Sequence, residues 1–380
     1  MLDTLQRDFR FAFRQLRQAP GFTATAIVVL ALGMCASVTI FTFVDAVLIK
    51  PLPYRDPNRL VGVFETNAAL IAQSNLSYPD YLDWKRMNTV FSSLDIYQSQ
   101  GYTLTTAEGA QPVRAARVSD GFFRTLGITP VLGRDFVPGE DLASAPRVAM
   151  LSYGTWQTRY GGRRDILGQT VTLSDHPTLI IGVLPHDFHF AATGAAEYWL
   201  AFHPNATGCD PRRSCHGIYG VARLKDGVTI QAALSNVVAI AKQLEQQYPE
   251  SNRQQGGTLA PLNDVLVGVV RPILLVLLSG AGLLLLIAAV NVAGLVLVRS
   301  ESRKREIAVR TALGASAGRL TSQFVTEAVV LAAAGAALGL GLAQWAIQLL
   351  KSLVSPDMMA RTPFLRDLSW NGRVIGTACA

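Results

Sequence analysis

Phe22-Thr-Ala-Thr-Ala-Ile-Val-Val-Leu-Ala-Leu-Gly-Met-Cys-Ala-Ser-Val-Thr-Ile-Phe-Thr-Phe-Val44 holds 23 residues without a formal charge. As a helix, such a run crosses a hydrocarbon core of about 30 Å. A secretory leader would have an apolar part of only about 7–15 residues and a small-residue cleavage site. This run is longer and continues as Asp45-Ala-Val-Leu-Ile-Lys50, so it reads as a permanent span over 22–49. Two further runs follow, Ile273–Val298 and Ala328–Leu350. The second carries Asn291 as its strongly polar side chain, and the third carries Gly335-Ala-Ala-Leu-Gly339, a spacing that lets another helix approach closely. Asn291 reads as a helix-interface residue, with a substrate path as the alternative.

Between the first two runs the composition changes. From Lys50 to about Arg271, Gly, Pro, Asn and Asp recur between short apolar stretches. Strand signals lie at Leu60–Phe64, Arg147–Leu151, Thr170–Leu173 and Thr178–Val183, and helix signals at Tyr78–Met87 and Ile230–Tyr248. The expected fold class is a membrane α-helical protein with an α+β domain inserted between its first and second spans.

The chain of 380 residues is 50% hydrophobic and 16% charged, with a net charge of +7. The excess of basic residues flanks the spans: Arg7, Arg10, Arg14 and Arg17 before the first, and Arg299, Arg303, Lys304, Arg305, Arg310 and Arg319 after the second. Positive charge of this kind stays on the cytoplasmic side. Residues 1–21 are therefore expected to be a cytoplasmic basic amphipathic segment suited to membrane lipid, and the domain 50–271 to be outside. No nucleic-acid reading motif accompanies the charge.

Cys209 and Cys215 lie close in sequence in a loop expected outside the cytoplasm, and a disulfide is the favoured reading. The alternative is a metal site of His203, Cys209, Cys215 and His216, whose spacing matches no standard zinc pattern. A membrane-anchored enzyme is a further alternative. Its best candidates, His186-Asp-Phe-His189 and Ser152, lack the spacing or the nucleophile elbow that chelation or acyl transfer needs. No phosphate-cradling Gly-x-x-x-x-Gly-Lys-(Ser/Thr) loop occurs. No catalytic, cofactor-binding or metal-ligating residue is assigned.

The segment Arg299-Ser-Glu-Ser-Arg-Lys-Arg-Glu-Ile-Ala-Val-Arg-Thr-Ala-Leu-Gly-Ala-Ser316 joins the second and third runs. Glu306 and Arg310, four apart, share a helix face, and Gly314 supplies a stop. Residues 305–315 resemble the cytoplasmic signature of the FtsX-like permeases of MacB-type ABC transporters. The resemblance extends to Phe13–Ala24 and Lys50–Tyr54, which look like the start of long acidobacterial-type permeases. Ser119–Gly127, Gly133–Phe136 and Leu151–Trp156 are similar to the family's periplasmic core domain.

The resemblance implies a multi-pass protein of the inner membrane that binds no cofactor itself and relies on ATP hydrolysed by an ABC ATPase subunit. Arg305, Glu306, Ile307, Arg310, Leu313, Gly314 and Ala315 would dock that subunit. It implies a second permease unit, as homodimer or fused repeat, and a periplasmic adaptor or cell-wall enzyme as further candidate partners. The core domain would divide into a membrane-proximal part, about 50–115 and 220–271, and a tip, about 116–219. Spans at 22–49, 272–298 and 321–350, with a coupling segment at 299–320, would be followed by 351–380, an extracytoplasmic stretch and the start of a truncated fourth span. The expected function is mechanical coupling of ATP hydrolysis to efflux or another envelope process. The alternative is a non-transporting receptor or scaffold that binds a ligand or cell-wall enzyme.

Overall fold

The computed structural model describes residues 2–67, 71–268, 270–302, 309, 312 and 317–353. They form two compact units, one from Pro51 to Gly268 and one from the segments on either side of it.

The flanking unit is helical. Helix α1 (Leu2–Gln18) gives way at Ala19 to α2 (Pro20–Val44), which continues through a wider π-turn, Asp45–Ile49. Pro20 suits the first helical position, because its missing N–H would have had no partner there. The elbow is pinned from inside α2: the Thr23 hydroxyl donates to the Leu16 carbonyl at 2.8 Å and to the Ala19 carbonyl at 3.0 Å.

The inserted unit is a mixed α+β domain. In chain order it contains β1 (Leu60–Asn67), β2 (Ile71–Ser74), α3 (Tyr78–Met87), β3 (Phe91–Thr106), β4 (Gly109–Val118) and α4 (Phe122–Leu126). There follow β5 (Leu132–Gly133), β6 (Val148–Leu151), α5 (Tyr153–Tyr160), β7 (Thr170–Leu173) and β8 (His176–Val183). It closes with β9 (Tyr198–Ala201), β10 (Tyr219–Leu224), α6 (Ile230–Gln247), α7 (Pro249–Asn252), β11 (Gln255–Pro261) and α8 (Leu262–Val267). Ser77, Ser152 and Thr229 each accept a backbone N–H at the start of α3, α5 and α6, satisfying donors that a helix start leaves open.

The strands run in the order β11-β1-β10-β3-β4-β9-β6-β8-β5, with β2 on β1 and β7 bridging β3 and β8. The β4–β9 and β6–β8 pairs are parallel and the other pairs antiparallel. At the middle lies the β3–β4 hairpin, paired without a break from Tyr97↔Val118 to Thr106↔Gly109. The expected division at about 115/116 falls within β4. One core cluster, Tyr97, Val118, Phe122, Phe123, Phe190 and Trp199 among others, draws residues from both sides of that division. It is dense in ring contacts, Tyr97 meeting Phe190 edge-on at 4.8 Å. A second cluster lies under α3 and α6, with Tyr81, Trp84, Val237 and Leu244, and a third under α5, with Leu104, Ala149, Ile180 and Tyr198.

The flanking unit also contains two long helices, α9 (Arg271–Ser302) and α10 (Ala317–Leu353). Pro20–Ile49, Arg271–Val298 and Thr321–Leu350 are each long and apolar enough to cross a membrane. Both α9 and α10 pack on α2, at contacts built from small residues. A Cβ built on Gly335 would stand 2.7 Å from the Leu30 Cβ, and one on Gly339 would stand 2.8 Å from the Ala31 carbonyl oxygen. On the other side a Cβ on Gly33 would reach 3.1 Å from that of Ala288. The α9 face that turns inward carries Leu274, Ala281 and Ala288. Asn291 is exposed on α9, off the face that carries Leu274, Ala281 and Ala288.

Gly339→Leu therefore lowers the stability of the detergent-solubilised chain by on the order of 1–3 kcal/mol, the range for overfilling a close contact. Gly341→Leu, where a Cβ meets nothing within 4 Å, stays within about 0.5 kcal/mol of the parent. Thermal unfolding of the two variants side by side measures the difference.

Candidate functional site

The residues with the most marked chemistry in the inserted domain gather around one loop. Cys209 and Cys215 are joined by a disulfide, with Cα atoms 5.3 Å apart. The small ring so closed presents two charged side chains in different directions. Arg213 forms ion pairs with Asp80 and Asp83 on α3. Asp210 accepts from Arg117 of β4 at 3.2 Å.

Both pairs are withdrawn from water. Asp80 is fully buried, and its other contacts are Asn252 Nδ2 at 3.0 Å and the Ser77 hydroxyl at 2.7 Å. Asp83 also accepts from Arg86. The Arg213 guanidinium lies 3.6 Å over the Tyr248 ring at the end of α6, so one side chain ties the loop to α3 and α6. Its pKa is raised by Asp83 and Asp80, which outweigh the burial that opposes them. Arg117 stands 4.0 Å over the Phe202 ring and donates to the His203 carbonyl at 2.8 Å and to Gln98 at 3.1 Å. Charged groups in such surroundings persist because nearly every polar atom finds a partner.

A third buried acid lies beside this network. Glu65 of β1 meets His216 Nε2 at 2.7 Å and accepts the Ser77 backbone N–H at 3.3 Å. Burial pushes the Glu65 carboxyl up to about 6, and the hydrogen bond to Glu65 raises the His216 imidazole above its ordinary value.

These placements bear on the alternatives read from sequence. With Cys209 and Cys215 bonded to each other and His216 engaged by Glu65, the four-residue metal quartet has no free thiolates. His203 is buried, and burial lowers its pKa. No group of three or more His, Cys, Asp or Glu side chains among the described residues is placed to hold a metal. His186 is exposed beside Asp187, and the His189 carbonyl accepts from the Tyr54 hydroxyl. Ser152 serves as the cap of α5, accepting the Thr155 N–H at 3.2 Å. The network of Arg213, Asp80, Asp83, Arg117 and Asp210 was not singled out from sequence, where the partners lie up to about 130 positions apart.

In the helical unit, the residues expected to dock an ATPase, Arg305, Glu306, Ile307, Arg310, Leu313, Gly314 and Ala315, lie outside the described residues. The helices that lead to and from them are described. Helix α9 runs past its apolar part to Ser302, and α10 starts at Ala317. Glu327 is buried near the start of the third apolar stretch.

Residues 23–240 match the family of the MacB-like periplasmic core domain, and residues 278–369 match the FtsX-like permease C-terminal family. Among curated proteins, a probable syringafactin export ATP-binding/permease protein of Pseudomonas syringae pv. tomato is 28% identical over 233 residues, 59% of this chain and 33% of its own. A macrolide export ATP-binding/permease protein, MacB 1, of Yersinia pestis bv. Antiqua is 23% identical over 316 residues, 81% of this chain and 44% of its own. The chain thus spans between a third and under half of the length of these relatives. Among solved structures, the periplasmic region of MacB from Actinobacillus actinomycetemcomitans aligns with a TM-score of 0.41 and 13% identity, over 57% of this chain and 94% of its own.

Two outcomes follow from the buried charges. Arg213→Ala leaves Asp80 and Asp83 buried without their cation and destabilises the inserted domain by about 3–5 kcal/mol, read from denaturant unfolding followed by intrinsic tryptophan fluorescence. For the His216–Glu65 pair the pH dependence has a definite sign. A raised histidine pKa contributes stability that is complete below the unfolded value and is lost as pH rises through the folded one. The raised Glu65 pKa acts in the same direction between its ordinary 4.5 and about 6. The stability advantage of the parent over His216→Gln is therefore larger at about pH 6 than at about pH 9, on either side of the histidine range.

Proposed function

The chain belongs to the family of the MacB-like periplasmic core domain and carries an FtsX-like permease segment, and from that premise we propose that it is the permease subunit of a MacB/FtsX-type ABC transporter. In this reading it binds no nucleotide. It converts ATP hydrolysis in a partner ATPase into a change of shape in an extracytoplasmic domain. The chain sits in the inner membrane with its amino terminus and the 299–320 segment inside, and it works beside a second permease unit, either another copy or a fused repeat.

One observation carries the proposal: the basic segment 303–316 is bracketed by two helices that outrun the bilayer. Helix α9 has 32 residues and α10 has 37. At about 1.5 Å per residue they measure roughly 48 and 55 Å, against a hydrocarbon core of about 30 Å. A push on the segment between them therefore acts on two rigid rods. Arg305, Glu306, Ile307, Arg310, Leu313, Gly314 and Ala315 are the proposed contact with the ATPase. Both rods pack on α2, which leads directly into the inserted domain, so α2 is the element through which both rods act. The names of the relatives, which refer to syringafactin and macrolide export, favour efflux as the process served.

Affinity purification of the chain from its own cells brings down an ABC ATPase. Glu306→Lys combined with Arg310→Glu reduces its recovery at least tenfold while the amount of chain in the membrane is unchanged. Undiminished recovery from the double variant contradicts this docking assignment.

A further inference from the structure

Beside the elbow between α1 and α2 runs a groove of about 1060 Å³, walled by α1, α2 and α10. Its walls are apolar, with Ile27 and Val28 from α2 and Val330 and Ala334 from α10, and Arg14 and Arg17 of α1 line one end of it. The groove is a consequence of sequence. Small residues on α10, Ala333 and Ala334, leave space that longer side chains would fill, and the Thr23 hydrogen bonds hold α1 at the angle that forms the third wall.

Three features identify what fits. The arginines belong to α1, which precedes the first apolar stretch, Pro20–Ile49, so they stand at the level of the headgroups. From Pro20 to Val28 the helix rises about 12 Å at 1.5 Å per residue, within the half-thickness of about 15 Å that one leaflet offers an acyl chain. Among the described residues neither Arg14 nor Arg17 meets a carboxylate, and the Arg14 guanidinium lies 5.7 Å over the Phe11 ring. An apolar trough of one leaflet's depth with two cations at its mouth is complementary to an amphiphile with an anionic head.

From this geometry we infer that the groove is a binding site for one anionic phospholipid, its acyl chain along Ile27, Val28, Val330 and Ala334 and its phosphate met by Arg14 and Arg17. Bound there, the lipid spans α1, α2 and α10 and fixes α1 against the membrane-spanning pair. The site is independent of the ATPase assignment, since none of its residues belongs to segment 303–316.

The test is native mass spectrometry of the full chain released from nanodiscs made of equal parts phosphatidylglycerol and phosphatidylcholine. The parent retains one phosphatidylglycerol, in preference to phosphatidylcholine by about an order of magnitude or more, as two headgroup-level arginines imply. Arg14→Gln with Arg17→Gln removes the preference. Ala334→Phe, which fills the trough and leaves both arginines, removes the retained lipid. Arg10→Gln, on the same helix but outside the groove, changes neither. The inference is overturned if the double variant keeps its phosphatidylglycerol, if both lipids are retained equally, or if Arg10→Gln matches the double variant. It is also overturned if the parent carries a second copy of the chain that Ala334→Phe releases.

Discussion

The apolar helices α2, α9 and α10 impose the constraint on which everything else rests: in a bilayer, each backbone N–H and C=O must be satisfied within the helix itself. Length and composition meet that demand for α2, α9 and α10, and their outward faces are accordingly apolar, as Val276, Leu283 and Val290 of α9 illustrate. Because lipid is as apolar as leucine, burial of greasy surface does not hold such helices together; close van der Waals contact does. Gly33, Gly335 and Gly339 supply it, on two sides of α2. α2 is thereby the common partner of both other helices and the segment that enters the inserted domain.

The inserted domain is stabilised by a different balance. Aromatic residues around Phe122 and Trp199 fill its centre, and burial of that area is the main favourable term. Buried charges then fix how peripheral pieces attach. Without the disulfide, the 209–215 loop would have to order itself before Arg213 and Asp210 reached their partners; the bond removes part of that entropy in advance. Arg213 thereby fixes the loop to α3, and Asp210 fixes it to β4.

How much of this is legible in the sequence depends on the range of the interactions. The apolar runs are visible because lipid contact demands uninterrupted composition. Helix α3, Tyr78–Met87, is visible because Ser77, Pro79 and the apolar spacing are local signals. The β3–β4 hairpin is not. Its stretch Gln98-Ser-Gln-Gly101 is polar, and the strand is ordered by partners on β10 and β4 that a local pattern does not reveal. The Gly335–Gly339 spacing can be seen in sequence, whereas the Leu30 and Met34 side chains they meet cannot. The side of α9 on which Asn291 falls is hidden for a related reason: polarity in a span suggests a contact but does not say on which side of the helix. The Arg213 and Arg117 pairs join residues far apart in sequence and leave no motif at all.

The central claim is that α2, α9 and α10 cross the membrane in alternating directions, so that the inserted domain and segment 299–320 face opposite sides. Single cysteines at Gly162 and at Ser302, in a chain with Cys35 and Cys379 replaced and the Cys209–Cys215 bond kept, test it in intact spheroplasts with a membrane-impermeant maleimide. The account predicts that the probe at 162 is modified and the probe at 302 is modified only after the membrane is opened. Modification of the 302 probe in sealed cells, or of both probes alike, contradicts it.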